Sequence, residues 1–174
     1  MENITKVHFI TGNPNTGKTT TAWLVYLMLK NEGIVDYFRV FHDGKYEILP
    51  ESQAPLDKID TYKDDYGTIM AWDFCAVIIV GNVRVAIFSP GDNEEAIKIG
   101  FKWVQQITPD IFIGCCRNSF NSYARRKLHE YEKGYDMSLH RVYKDYDEAD
   151  LEHAKESRNA LAKEFVDVIL ANVY

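Results

Sequence analysis

The segment Gly12-Asn13-Pro14-Asn15-Thr16-Gly17-Lys18-Thr19 lies between a short apolar run, Val7-His8-Phe9-Ile10, and a longer stretch from Thr19 to Lys30 that is apolar almost all round. The first run reads as a buried strand and the second as a helix packed on several sides. A strand, a glycine loop and a helix in this order turn successive backbone N–H groups and the positive helix end toward one point, a geometry suited to an anion. It also requires a sheet with a helix laid across it, so the chain is expected to be α/β.

The remaining periodicity extends this unit. Gly33 is placed to end the first helix in a left-handed cap. Residues 37–41 and 45–49 flank His42-Asp43-Gly44 as a predicted hairpin, and residues 74–80 and 83–88 flank Gly81-Asn82 as a second. Ile97, Phe101 and Val104, joined by Ala96, Trp103 and Ile107, have helical spacing up to the stop at Pro109. Ile111-Phe112-Ile113 reads as a strand, and Phe120, Ala124, Leu128 and Tyr131 mark a helix between Asn118 and Lys133. A last strand over 139–143 precedes a long helix with an apolar seam through Leu151, Ala154, Leu161, Phe165 and Val168, its start capped by Asp147 or a neighbouring acid. The expected fold is a three-layer α/β/α sandwich whose sheet is mostly parallel with at least one antiparallel strand. Residues 1–174 form one domain without repeat or linker, and the stretch 36–67 is either a lid or acceptor-binding insertion or a solvated surface loop.

Composition narrows the classes of function. With 46% hydrophobic residues, 26% charged residues and no apolar run near the roughly 18 needed to cross a bilayer, the sequence is that of a soluble domain without a membrane partner. The N-terminus runs directly into a strand pattern with no secretory zones, so a cytoplasmic setting is expected. Cys75, Cys115 and Cys116 are odd in number and sit in apolar runs, which argues for buried thiols rather than disulfides or a zinc site. A net charge of −6 lacks the basic surface that nucleic-acid binding uses.

Residues 12–19 match GxxxxGK[ST] completely, a match that average composition yields about once in 150 chains of this length. On this motif and its strand–loop–helix setting the chain resembles the P-loop NTPase superfamily. The resemblance implies a P-loop NTPase fold and places Gly12, Asn13, Asn15, Thr16, Gly17, Lys18, Thr19 and Thr20 around the phosphates of a nucleoside triphosphate. By that resemblance Lys18 reaches the β- and γ-phosphates, Thr19 puts its hydroxyl on Mg²⁺, and Thr20 adds a bond to the α-phosphate.

Such proteins also carry an acid near the end of a neighbouring strand to orient the metal. Here residues 83–88 end in Ser89-Pro90-Gly91, and Asp92 is the first acid, a metal-orienting and catalytic candidate that can equally cap the next helix with Glu95. Asp73, before the preceding strand, is a second candidate. Arg117 is a candidate for stabilising transferred charge, while Arg125, Arg126 and Lys127 form either a basic lid or a solvated helix face. The antiparallel pair resembles a GTPase switch region, yet no guanine-reading Asn-Lys-x-Asp follows residues 111–113, so ATP is favoured and GTP stays open. A small kinase in the style of nucleotide and metabolite kinases, with an unidentified small-molecule or protein acceptor, leads. The alternatives are an ATP or GTP hydrolase driving a conformational or partner-binding cycle and a non-catalytic nucleotide-binding module.

Overall fold

A computed structural model describes residues 5–13, 17–41, 44–48, 72–118, 122–142 and 151–173, with side chains of the last helix from residue 156 onward. In chain order the elements are β1 (Lys6–Gly12), α1 (Lys18–Lys30), β2 (Ile34–Val40), β3 (Phe74–Val80), β4 (Val83–Phe88), α2 (Glu94–Ile107), β5 (Ile111–Arg117), α3 (Tyr123–Tyr131), β6 (Asp136–Arg141) and α4 (Leu151–Leu170). The six strands form one sheet in the order β2-β3-β4-β5-β1-β6. Strands β4, β5, β1 and β6 run parallel to one another, whereas β3 is antiparallel to both β2 and β4.

Alternation along the strands sends each set of side chains to one of two helical layers. On one face Ile10, Phe38, Phe74, Ile78, Ile87 and Ile113 pack with Trp23, Tyr26 and Leu29 of α1 and with Ala162, Phe165, Val166 and Ile169 of α4. On the other, Val7, Phe9, Tyr37, Val77, Phe88 and Phe112 pack with Ile97, Phe101 and Val104 of α2 and with Ala124 and Leu128 of α3. Helix α1 is apolar on several sides because the sheet and α4 both cover it. Stacking of Phe101 on Tyr131, with ring centroids 3.9 Å apart and planes 6° apart, ties α2 to α3.

Several local expectations are corrected. Helix α1 ends at Asn31 in right-handed geometry, and Gly33 is not among the residues with positive φ; it lies instead where β2 begins against the Ile79 carbonyl. Residues 45–48 carry no strand, so the first predicted hairpin does not form there, and residue 49 lies outside the described residues. Strand β5 runs on through Gly114, Cys115 and Cys116 to Arg117, so the segment that follows it begins at Asn118. The buried seam of α4 runs through Ala162, Phe165, Val166 and Ile169, and Val168 faces outward. Asp147, Phe120, Tyr143 and most of the 36–67 stretch lie outside the described residues, as do the side chains of Leu151 and Ala154. Among the described residues no helix is long and apolar enough to cross a membrane.

Helix α2 starts and stops by different means. Asn93 caps it by accepting from the Ala96 N–H at 2.8 Å, with Glu94 and Glu95 in the first turn favouring the positive helix end. At the other end Thr108 is the one non-glycine residue with positive φ among those described, at φ 44 and ψ 59. Its N–H bonds to the Val104 carbonyl, and its β-branched side chain is exposed. The left-handed conformation costs an L-residue roughly 1–2 kcal/mol. Thr108→Gly is expected to stabilise the protein by up to about 1 kcal/mol and to raise its melting temperature by roughly 2–4 °C in calorimetry. An unchanged or lowered melting temperature would show that the threonine side chain offsets its backbone cost.

Candidate functional site

The loop after β1 is framed by three strand ends laced together through backbone. Asn118 N–H donates to the Gly12 carbonyl and Arg117 N–H to the Gly91 carbonyl, each at 2.9 Å. Gly91 comes so near β5 that a Cβ there would collide with the Cys115 carbonyl and lie 3.0 Å from the Cys116 nitrogen, so a residue with a side chain could not close this gap. The Pro90-Gly91 turn thereby brings Asp92 beside the end of β5.

Helix α1 opens differently from its neighbours. Its N-cap is Gly17, left-handed at φ 88, with no side-chain cap and no acid in the first turn. By contrast α2 is capped by Asn93 and α3 by Ser122. The Gly17 carbonyl accepts from both the backbone N–H and the hydroxyl of Thr21, at 2.9 and 2.8 Å. Lys18 is only 8% exposed, and its Nζ donates to the Asn13 carbonyl at 2.9 Å, so the side chain arches back across the loop. Thr20 stands half-buried in the first turn, while Pro14, Asn15 and Thr16 lie outside the described residues.

Asp73 meets Thr19 at the same end of α1. The Thr19 hydroxyl donates to Asp73 Oδ1 at 3.3 Å, and the Ser89 hydroxyl donates to the same oxygen at 2.9 Å. Ser89 Oγ in turn accepts from the Phe74 N–H at 2.9 Å, and Phe41 N–H holds the Asp73 carbonyl at 2.8 Å. One turn further along α1, Trp23 Nε1 donates to the Trp72 carbonyl at 2.8 Å and anchors the chain just before Asp73. Burial pushes the Asp73 carboxyl above the usual carboxylate range, and nearby Asp92 adds to this; the bonds from Ser89 and Thr19 and the charge of Lys18 oppose it.

Asp92 is directed elsewhere. Its carboxylate pairs with Arg117 Nε at 3.4 Å and its side chain is 57% exposed, so the pair itself contributes little stability. Asp92 does not cap α2, since Asn93 does. Tyr46, not singled out in the sequence, packs edge-on against Phe41 and Phe88, with centroids 5.6 and 6.5 Å away. Its phenol is pushed above its ordinary range by burial and then by Asp73 and Asp92. The basic triplet is engaged within the α2–α3 layer: Arg125 pairs with Glu132 at 2.9 Å, Lys127 with Glu130 at 2.7 Å and Glu94 at 3.3 Å, and Arg126 lies over the Tyr123 ring at 5.1 Å.

All three cysteines are free and buried. Burial raises their thiols, Cys116 to about 12, which leaves them without thiolate for nucleophilic or metal chemistry at neutral pH. Among the described residues no three His, Cys, Asp or Glu side chains gather to hold a metal ion by themselves. Comparison with family models, with curated proteins and with solved structures finds no match to this chain.

A raised carboxyl pKa fixes the sign of one measurable effect. The folded protein binds the Asp73 proton more tightly than the unfolded chain does, so this group favours folding at acid pH. That contribution is lost as pH rises through the folded value. Asp73→Asn is therefore expected to raise the melting temperature of the nucleotide-free protein by a few degrees at pH 7, with a gain that shrinks as pH falls toward 4. A melting temperature that drops at pH 7 would mean that the ionised carboxylate stabilises the fold.

Proposed function

We propose that this chain is a P-loop protein that binds a nucleoside triphosphate, ATP before GTP, with Mg²⁺, and that it transfers the terminal phosphoryl group as a small kinase. The observation that carries this reading is the shared hydrogen bond between Thr19 and Asp73 beside a loop crossed by the nearly buried Lys18. The complete GxxxxGK[ST] motif requires a threonine hydroxyl and an acid at one point, and Asp73 supplies the acid. The metal-orienting role foreseen for Asp92 is thus assigned to Asp73, and Asp92 with Arg117 is assigned to the acceptor side.

The residues fit Mg²⁺. A hydroxyl and a carboxylate 3.3 Å apart are hard oxygen donors, and this ion is commonly held by one or two carboxylates together with substrate phosphates and water. When bound, Mg²⁺ would neutralise charge on the β- and γ-phosphate oxygens. Gly12 and Gly17 let the loop backbone approach the phosphates, and the uncapped N–H groups of α1 face them. Lys18 exchanges the Asn13 carbonyl for phosphate oxygens, which moves its ammonium to where negative charge grows during transfer. Arg117, whose Nε is buried without a hydrogen bond, is set to turn from Asp92 toward an anionic group of the acceptor.

Calorimetric titration with ATP and GTP, with and without Mg²⁺, tests this directly. The expected result is Mg²⁺-dependent ATP binding that weakens by about 10- to 100-fold in Lys18→Ala, the equivalent of one charge-assisted contact. Little phosphate release without an acceptor is expected of a kinase, whereas rapid release would identify a hydrolase. Equal ATP affinity in wild type and Lys18→Ala would overturn the assignment.

A further inference from the structure

Helix α4 lays its buried seam against α1 and the sheet through Ala162, Phe165, Val166 and Ile169. One helical turn before Ala162 the same line is continued by Arg158, a long cation in place of an apolar residue. Its guanidinium lies against the open face of Gly17. A Cβ on Gly17 would come within 2.6 Å of Arg158 Cζ and 2.9 Å of Nη2, and nearer still to Nε. Gly17 is thus constrained twice, by its φ of 88 and by the side chain that covers it.

We propose that Arg158 is a phosphate-contacting residue of the nucleotide site, supplied by α4 to Gly17 at the start of α1. This inference rests on the triphosphate reading given above. Simple packing over Gly17 calls only for an unbranched apolar stem, whereas a guanidinium adds a planar fork of donors matched to phosphate oxygens. The guanidinium also stands at the uncapped N-terminus of α1, one residue along the chain from Lys18, so a cation from α4 meets the positive end of α1. A polyanion seated at that helix end would accept from both elements. The contact is carried on a helix fixed by four buried side chains rather than on a loop, so the guanidinium is positioned before the ligand arrives.

The test compares Arg158→Met, which keeps a stem over Gly17 without charge, and Arg158→Lys, which keeps the charge without the fork. Each is titrated with Mg·ATP and with inorganic tripolyphosphate beside wild type and Lys18→Ala. The expected result is at least about a tenfold loss for Arg158→Met with both ligands, a smaller loss for Arg158→Lys, and an unchanged melting temperature without ligand. A loss for ATP but not for tripolyphosphate would move the contact to base or ribose and overturn the proposal. So would wild-type affinity in Arg158→Met, or weakened binding that merely accompanies a lower melting temperature in both variants. If Arg158→Met binds normally while Lys18→Ala does not, the arginine assignment falls and the nucleotide reading stands. If wild type binds neither ligand, both fall.

Discussion

The Asp73 carboxylate, half withdrawn from water and held by two hydroxyls, is the point at which the open end of the β3–β4 hairpin meets the first turn of α1. Ser89 connects it to the far end of the β3–β4 hairpin, and Thr19 connects it to the first turn of α1. Removing a carboxylate from solvent is costly, and two hydrogen bonds from neutral donors offset only part of that cost. The position is therefore strained in energy although ordinary in geometry. A divalent cation beside it would invert the balance, because the charge that opposes folding would then become a ligand.

The three N-terminal helix ends point the same way. Helices α2 and α3 satisfy their first N–H groups with Asn93 and Ser122, and α2 adds acids to its first turn. Helix α1 has a glycine there and no acid, although it is the helix most deeply enclosed by the fold. A fold that caps α2 and α3 with side chains and starts α1 without one leaves donor capacity unmet at the start of α1.

Much of the architecture was legible because it is written locally. The β1–loop–α1 unit follows from an apolar run, two glycines and a second apolar run, and the β3–β4 hairpin from Gly81-Asn82, whose flanks Val80 and Val83 pair as expected. The stripe of α2 was readable up to Pro109. The length of β5 was not, because Gly114 and two cysteines look like a break in a strand. In the structure that glycine sits mid-strand under the Phe9 ring, where a Cβ would lie 2.7 Å from Cζ. The placement of the acids was only half legible. That Asp73 and not Asp92 meets Thr19 depends on the pairing of Cys75 with Phe88, which sets the residues flanking the hairpin side by side. Tyr46 and Arg158 reach the site through tertiary packing and leave no local signal.

The hairpin also orders events in time. Asp73 and Ser89 are 16 residues apart and joined by a two-residue turn, so their half of the site closes through a small loop. Thr19 is 54 residues from Asp73, and β1 reaches β5 only across a separation such as the 104 residues between Thr5 and Pro109. Loop-closure entropy makes such distant parallel pairing slow. During synthesis β1 precedes both strands that it pairs with, β5 and β6, and α1 precedes α4, which packs on it. The glycine-loop end of the molecule is therefore made before the strands it pairs with and assembled after them, so its closure is a late docking step to which the hairpin contributes nothing.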